Sequence, residues 1–291
     1  LDFIVPLYAK SKPKFFDRFT VSETSNSAYI KVATEGDFPV ANQVTEGGTI
    51  NFDDFQTPYY MDVNFYMRAI GYAQSSLSES SDKYGVLAKR GPKMVDSIYR
   101  SMEYDASDFI NLGTAGTAAN GLLTPDGVTF FSASHLYQLG TFTNIVTGNP
   151  ALSITSLAQA QQQLMNQPSH EGAPMTFEGP KILIVPTSLA DTAYRLTHTD
   201  GGRQPQSGAD ADMNWAGRDI TVVVNPFLTS TTAWALVTAN KTHNPMKMIT
   251  RRGLVSKEQP DISRDGTLYT VTCVWGKAPF DPRGIVYSAG G

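Results

Sequence analysis

Residues 91–113 read GPKMVDSIYRSMEYDASDFINLG, and the period of their apolar positions sets the fold class. Met94, Val95, Ile98, Tyr99, Met102, Phe109 and Ile110 recur at three-to-four spacing, which places them on one stripe of a helix. Pro92 suits a first helical turn, where its missing N–H forfeits no hydrogen bond, and Gly113 is a natural C-terminal stop. The pattern predicts one long amphipathic helix over residues 82–112, with Gly91-Pro92 as a place for a kink. A helix so one-sided needs a broad apolar surface to lie on, and strand-like sequence flanks it on both sides.

On the N-terminal side, residues 60–68 alternate. Met61, Val63, Phe65 and Met67 share one face, and Tyr60, Asp62, Asn64, Tyr66 and Arg68 share the other. A second alternating stretch covers residues 27–33. Between the two, residues 35–54 are rich in turn-forming and acidic residues: Gly36-Asp37, Pro39, Gly47-Gly48 and Asp53-Asp54. Residues 27–68 therefore predict a long two-stranded hairpin with a polar tip. Such a ribbon is marginally stable alone in water, so it is expected to lie on another surface, such as a second subunit. Residues 1–20 carry Pro6, Pro13 and several lysines without any period, and read as an extended arm. A Ser-rich connector, 75–81, precedes the helix.

On the C-terminal side, small residues dominate 113–121 before the turn at Asp126-Gly127. Ser153 caps a predicted helix carrying Leu157, Ala160, Leu164 and Met165, which must end before Pro168. Residues 182–185 are all apolar and run into Pro186, as in a strand covered on both faces. Ser188 and Asp191 form a capping pattern for a helix to Leu196. Residues 198–214 carry almost no apolar side chain and read as a long polar loop. Further strands are predicted at 220–224, 233–237 and 268–275. The fold class is α+β.

Composition narrows the function. The chain has 291 residues, 41% hydrophobic and 17% charged, which is that of a folded protein with fewer charges than usual. A compact monomer of this mass would expose roughly 12,000 Å², and so sparse a charge complement suggests that part of that surface is covered by partners. A net charge of −4 gives no basic footprint for tight nucleic-acid binding. The single cysteine, Cys273, excludes an intrachain disulfide framework and points to a reducing compartment. Nothing resembles a membrane span or a signal peptide. The sequence starts at Leu1 without a methionine, as either a processed or a partly ordered product would.

No constellation of side chains demands a reaction. Gly113, Gly116 and Gly121 form a glycine-rich stretch, but no Gly-Lys-Ser/Thr follows. Ser132, Ser134 and His135 are close in sequence, yet Gly-x-Ser-x-Gly is absent and His135 reads as a surface or turn residue. A serine or metal-dependent hydrolase using His135 would need a deep pocket with an acid and a nucleophile in reach. His170-Glu171 lacks the second histidine of a zinc-protease helix, and His198 and His243 stand alone. Asp200, Asp210 and Asp212 lack the spacing of a calcium loop. Cys273 shares a strand face with Tyr269, Val271 and Trp275 and reads as a buried, inert thiol. No catalytic, cofactor-binding or metal-ligating residue is assigned, and no cofactor is expected.

Asp126-Gly127-Val128-Thr129-Phe130-Phe131-Ser132-Ala133-Ser134-His135, following the long helix, resembles the Asp-Gly…Phe-Phe-x-Ala-x-His segment of Mu-like phage major head subunits. Lys181-Ile182-Leu183-Ile184-Val185-Pro186, after the helix capped by Ser153, is similar to that family's Lys-x-Leu-Leu-Val-Pro strand. Thr250-Arg251-Arg252-Gly253, Arg264-Asp265-Gly266 and Asp281-Pro282-Arg283-Gly284 resemble its closing strands. The likeness runs from about residue 84 to 291, and the N-terminal part matches by architecture only.

The resemblance implies the Hong Kong 97-type phage capsid fold. It implies an N-terminal arm at 1–20, an E-loop hairpin at 21–73, and a spine helix with P-domain at 74–152. An A-domain would follow at 153–238, and C-terminal strands returning to the P-domain at 239–291, with the 198–214 loop at the capsomer centre. The implied function is non-enzymatic: a major capsid protein of a virion, assembling into hexamers and pentamers in the host bacterial cytoplasm. Portal, scaffold or protease would be partners during assembly, a decoration protein a further possible one, and packaged double-stranded DNA would be touched non-specifically. Cleavage during maturation would account for the missing methionine. An encapsulin-type nanocompartment shell is the alternative. Some shells of this fold cross-link lysine to asparagine; Lys31 and several asparagines are present, but nothing marks such a site and none is predicted.

Overall fold

The computed structural model describes residues 13–27, 29–33, 36, 38, 40, 41, 43–50, 52, 59–81, 89–197, 217 and 219–291. In chain order the elements are β1 (Val21–Thr24), β2 (Ile30–Ala33), β3 (Tyr60–Val63), β4 (Tyr66–Ser75), α1 (Ser76–Ser80), α2 (Arg90–Asn111), β5 (His135–Tyr137), β6 (Gly140–Phe142), α3 (Ile154–Met165), β7 (Lys181–Val185), α4 (Ala190–Thr197), β8 (Ile220–Val224), β9 (Trp234–Thr238), β10 (Met246–Asp261), β11 (Gly266–Pro279) and β12 (Ile285–Ser288). One sheet has the order β1-β10-β11-β4 and a second the order β12-β9-β7-β8.

Helix α2 is the shared wall of the body. Its predicted stripe, Met94, Val95, Ile98, Tyr99, Met102, Phe109 and Ile110, is buried throughout. That stripe meets Met248, Val271, Cys273 and Trp275 of the first sheet and Ile182, Ile184, Ala235 and Val237 of the second. The opposite face of the second sheet, Leu183, Val185, Trp234, Leu236 and Val286, packs on Leu157, Ala160 and Leu164 of α3 and Ala193 and Leu196 of α4. Every residue of β7 is buried, as its unbroken apolar run predicts for a strand covered on both faces. Each large side chain so buried contributes about 1.5–3 kcal/mol. Polar groups rim the helix: Trp275 Nε1 donates to Asp105 Oδ2 at 2.9 Å and Lys277 Nζ lies 2.6 Å from Asp108 Oδ2.

Local chemistry places the ends. Ser153 accepts the Ser156 amide and caps α3. Leu112 closes α2 through its N–H to Asp108 O. Gly113 follows because Phe131 N binds Gly113 O, and a Cβ there would meet the Phe131 ring at 2.4 Å. The predicted start of α2 at residue 82 falls at 82–88, outside the described residues. The polar 198–214 loop also lies outside them.

Several expectations are corrected. Of the arm, residues 1–12 are outside the described residues, while 13–20 are part of the body: Phe16 and Phe19 join the main core, Phe15 N donates to Glu103 Oε1 at 2.8 Å, and Asn244 Nδ2 donates to Phe19 O. Two aromatic rings three residues apart supply the apolar anchor that the proline-and-lysine pattern hid. The 21–73 hairpin is also shorter. Strand β1 runs parallel to β10, and β4 runs antiparallel to β11, so among the described residues only β2 and β3 pair as a two-stranded ribbon, Ile30↔Val63 to Ala33↔Tyr60. The alternating run 60–68 divides at Asn64-Phe65, where the chain changes partner from β2 to β11. Met61, Val63 and Phe65 face a small core with Ile30, Ile249 and Phe280; Met67 is exposed, and Ile70 and Tyr72 take over the inner face. The Ser-rich connector forms α1. Ser188 does not cap α4; it sits within a short 3-10 turn at Thr187–Leu189, and its hydroxyl donates to Thr231 O.

Candidate assembly surface

The motif Asp126…His135 is a buried staple. Asp126 and Gly127 turn the chain, with Gly127 at φ 78° and its N–H on Thr124 O. The Asp126 carboxylate then accepts from His135 Nδ1 at 2.9 Å, from Leu136 N at 3.2 Å and from the Thr124 hydroxyl. An ionised carboxylate only accepts, so Nδ1 carries the imidazole proton. Burial pushes the Asp126 carboxyl up, but the bonds from His135 and Thr124, the attraction of His135 and the Leu136 amide outweigh it and hold it below its ordinary value. His135 is 0% exposed, which corrects the surface reading: a ring sealed on Phe142 offers no face to a substrate.

The Asp281…Gly284 motif is a second staple. Arg283, with its side chain 3% exposed, pairs with Asp281 at 3.1 Å and donates from Nε to Pro168 O at 2.6 Å. Gly284 sits at φ 78° where a Cβ would meet His243 O at 2.4 Å, and its N–H donates to Gln167. His170 and His243 line a cavity of about 230 Å³ with Asp281, Arg283 and Lys247. Both cations are committed, Lys247 to Glu23 and Arg283 to Asp281, and among the described residues no group of acids, histidines or cysteines is arranged to hold a metal. Cys273 is buried, and burial pushes its thiol up to about 11, in keeping with an inert group. His198, Asp200, Asp210 and Asp212 lie outside the described residues.

The surface that lacks partners is apolar and lies on projections. Around the ribbon, Val40 is 77% exposed, Ile50 64%, Phe52 95% and Tyr60 64%. At the far end of the β10–β11–β4 sheet, Leu77 on α1 is 75% exposed and Ile262 in the β10–β11 turn 94%. That end is well built: Tyr72 stacks on Tyr269 at 5.1 Å, Asp265 takes φ 44° in the turn, and Ser76 N donates to Asp265 O at 2.9 Å. Large apolar side chains left bare in groups mark protein–protein contact. Sequence reading placed the ribbon but missed the sheet end, because Leu77 and Ile262 are isolated in polar sequence and only folding puts them at an extremity. No helix among the described residues is long and apolar enough to cross a membrane.

Known proteins agree with this architecture. The capsid of an empty GTA particle aligns with a TM-score of 0.59 at 10% identity, over 94% of this chain and 88% of that one. The capsid of cyanophage P-SCSP1u gives 0.58 at 13% identity, over 95% and 88%. A virus-like particle from Pyrococcus furiosus gives 0.54 at 10% identity, over 98% and 95%. These likenesses show the fold, the Hong Kong 97-type capsid fold. No curated protein matches the chain by sequence. The sequence profile of the phage capsid protein family, however, matches residues 77–288, and that stretch holds α2, both four-stranded sheets apart from β1 and β4, and both staples, so the chain belongs to the phage capsid protein family.

Proposed function

We propose that this chain is the major head subunit of a tailed bacteriophage, forming hexamers and pentamers of an icosahedral shell around packaged double-stranded DNA. Capsid membership and a structural role in the virion shell follow from the family; the capsomer geometry, the genome and assembly in the host cytoplasm are the finer reading. Under it, α2 is the spine helix and the first sheet the P-domain. The second sheet with α3 and α4 is the A-domain, the β2–β3 ribbon belongs to the E-loop, and residues 1–12 to the arm. Portal, scaffold or protease, and a decoration protein are partners of the assembly pathway.

The observation that supports this most is the pairing of a phage-capsid sequence profile with large apolar side chains left bare around the β2–β3 ribbon and at the α1 end of the first sheet. In a closed lattice a heterologous contact is repeated around each ring and across the shell, so modest pair energies sum to a stable particle. Electron microscopy of the expressed chain, alone and with its scaffold, tests the reading. Closed shells with five-fold and six-fold capsomers are expected; a chain that stays monomeric under both conditions sinks it. An encapsulin-type shell remains the competing function, and the family profile favours the phage. Particles purified from producing cells that hold an enzyme and no nucleic acid reverse the choice.

A further inference from the structure

We infer that the cavity beside the β2–β3 ribbon is a binding site for a small organic acid, one carboxylate on a compact apolar body, recognised by Arg283, Ser169 and His170. The cavity, of about 230 Å³, lies between Ala33 of β2, the 169–177 segment, the 242–245 turn and the Asp281/Arg283 staple. Sites for drug-sized ligands run to roughly 300–1,000 Å³, so this space suits a smaller molecule. The site is independent of the shell reading above: an occupant would touch the ribbon and the body of one and the same chain.

What sets this cavity apart is donor capacity left unspent. The Arg283 side chain is 3% exposed, yet only part of its guanidinium is used: Nε donates to Pro168 O, and Nη1 donates to both oxygens of Asp281 at 3.2 and 3.1 Å. Among the described residues Nη2 has no acceptor. Ser169 Oγ and His170 Nδ1 are likewise buried without a hydrogen-bond partner. Buried polar groups left unpaired are rare and costly, and three such groups around one cavity call for an occupant that accepts hydrogen bonds. A carboxylate is a strong acceptor for an open guanidinium edge. It also accepts from the Ser169 hydroxyl, and from His170 in the tautomer that carries its proton on Nδ1.

The neighbouring charges limit the ligand to a single negative group. Lys247 is spent on Glu23 at 2.9 Å and on the face of the Phe280 ring, 3.9 Å from its centre, and the Asp281 carboxylate repels a second anion. Asn244 is spent as well, its Nδ2 on Phe19 O and its Oδ1 on Met246 N. Much of the remaining lining is apolar: Met175, Phe280, and Phe177, whose ring meets His243 edge-on at 5.7 Å. The lining thus offers donors to an acid head and carbon to a compact body.

Binding to the unassembled full chain tests the site, with benzoate as the probe and benzamide as its neutral isostere at matched ionic strength and pH. In calorimetry benzoate is expected to bind once per chain, and roughly ten-fold or more tightly than benzamide, because its bonds to the guanidinium are charge-assisted at both ends. In NMR it is expected to move the imidazole signals of His170 and His243 and to leave that of His135, which is sealed on Phe142, in place. Ser169→Ala removes a hydroxyl that has no partner in the free chain. It should therefore weaken benzoate by about ten-fold while the ligand-free chain melts at or above the parent's temperature; a serine with only a structural role would lower the melting temperature and leave the affinity alone. Equal affinity for benzoate and benzamide shows that charge is not read, and overturns the inference. Binding of neither, or binding that leaves His170 and His243 unmoved, means that the cavity holds water alone and overturns it too. If inorganic phosphate displaces benzoate at an equal or lower concentration, the pocket serves oxyanions at large and the organic-acid assignment is wrong.

Discussion

Strands β7 and β3 are short and apolar-patterned alike, yet they depend on different surroundings. All five residues of β7 are buried, between α2 on one face and α3 and α4 on the other. In β3 only Val63 is buried, while Tyr60 and Asp62 are exposed, and the ribbon beyond it leads to Phe52 and Val40 with most of their surface bare. The first strand takes its free energy from its own chain. The second is ordered at its root and leaves apolar surface for a contact that a single chain does not supply. A subunit built so folds before it assembles, with the boundary between the two processes near Asn64-Phe65.

The sharpest way to break that contrast is in the core. Trp234 is 0% exposed and its Nε1 donates to Pro150 O at 3.1 Å. Trp234→Ala is expected to destabilise the isolated subunit by about 3–5 kcal/mol, read as a shift in denaturant midpoint; a loss below 1 kcal/mol would mean that the second sheet is not the anchor of the fold. The staple comes next. Asp126→Asn removes an ionised acceptor that serves His135, Leu136 and Thr124, and about 1–3 kcal/mol is expected to go with it. It also removes a pH dependence. The Asp126 carboxyl is held below its ordinary value of 3.8, so its contribution is complete above that value and is lost as pH falls through the lowered one. The parent should therefore lose stability on acidification below about pH 4 more steeply than Asp126→Asn; parallel acid limbs would remove Asp126 from the account.

What could be read in advance divides along the same line. Helix α2 and strand β7 were legible because their periods, near 3.6 residues and unbroken, each admit one burial pattern and both patterns close within the chain. Strand β10 was not: Arg251-Arg252-Gly253 and Pro260 interrupt its alternation, and the bulge that accommodates the arginines shows only when β11 is paired beside it. The change of face in β3–β4 was hidden for a similar reason, since period 2 reports alternation and says nothing about which strand lies alongside. In sequence His135 reads as a surface or turn residue, because the Asp126 carboxylate that holds it sits across a turn, where sequence spacing carries no depth. The assembly surface was half legible. Acidic turn residues marked the ribbon tip as a projection, but Leu77 and Ile262 are ordinary isolated apolar residues until α1 and the β10–β11 turn bring them to one end of a sheet.

The smallest expected effect on folding belongs to Phe52, and it separates the two processes most cleanly. A side chain 95% exposed has almost no contacts to lose, so Phe52→Ser should leave the isolated subunit within about 0.5 kcal/mol of the parent. Burying a phenylalanine against a neighbour is worth about 1.5–3 kcal/mol, and removing it should raise the concentration at which shells form by roughly ten-fold or more. The pair of measurements is a denaturant titration of the unassembled subunit and a sedimentation assay of assembly. A variant that unfolds with the parent yet assembles poorly places Phe52 in a contact between subunits. One that loses more than 1 kcal/mol as a subunit would show the ribbon drawing stability from its own body, and the division at Asn64-Phe65 would have to be abandoned.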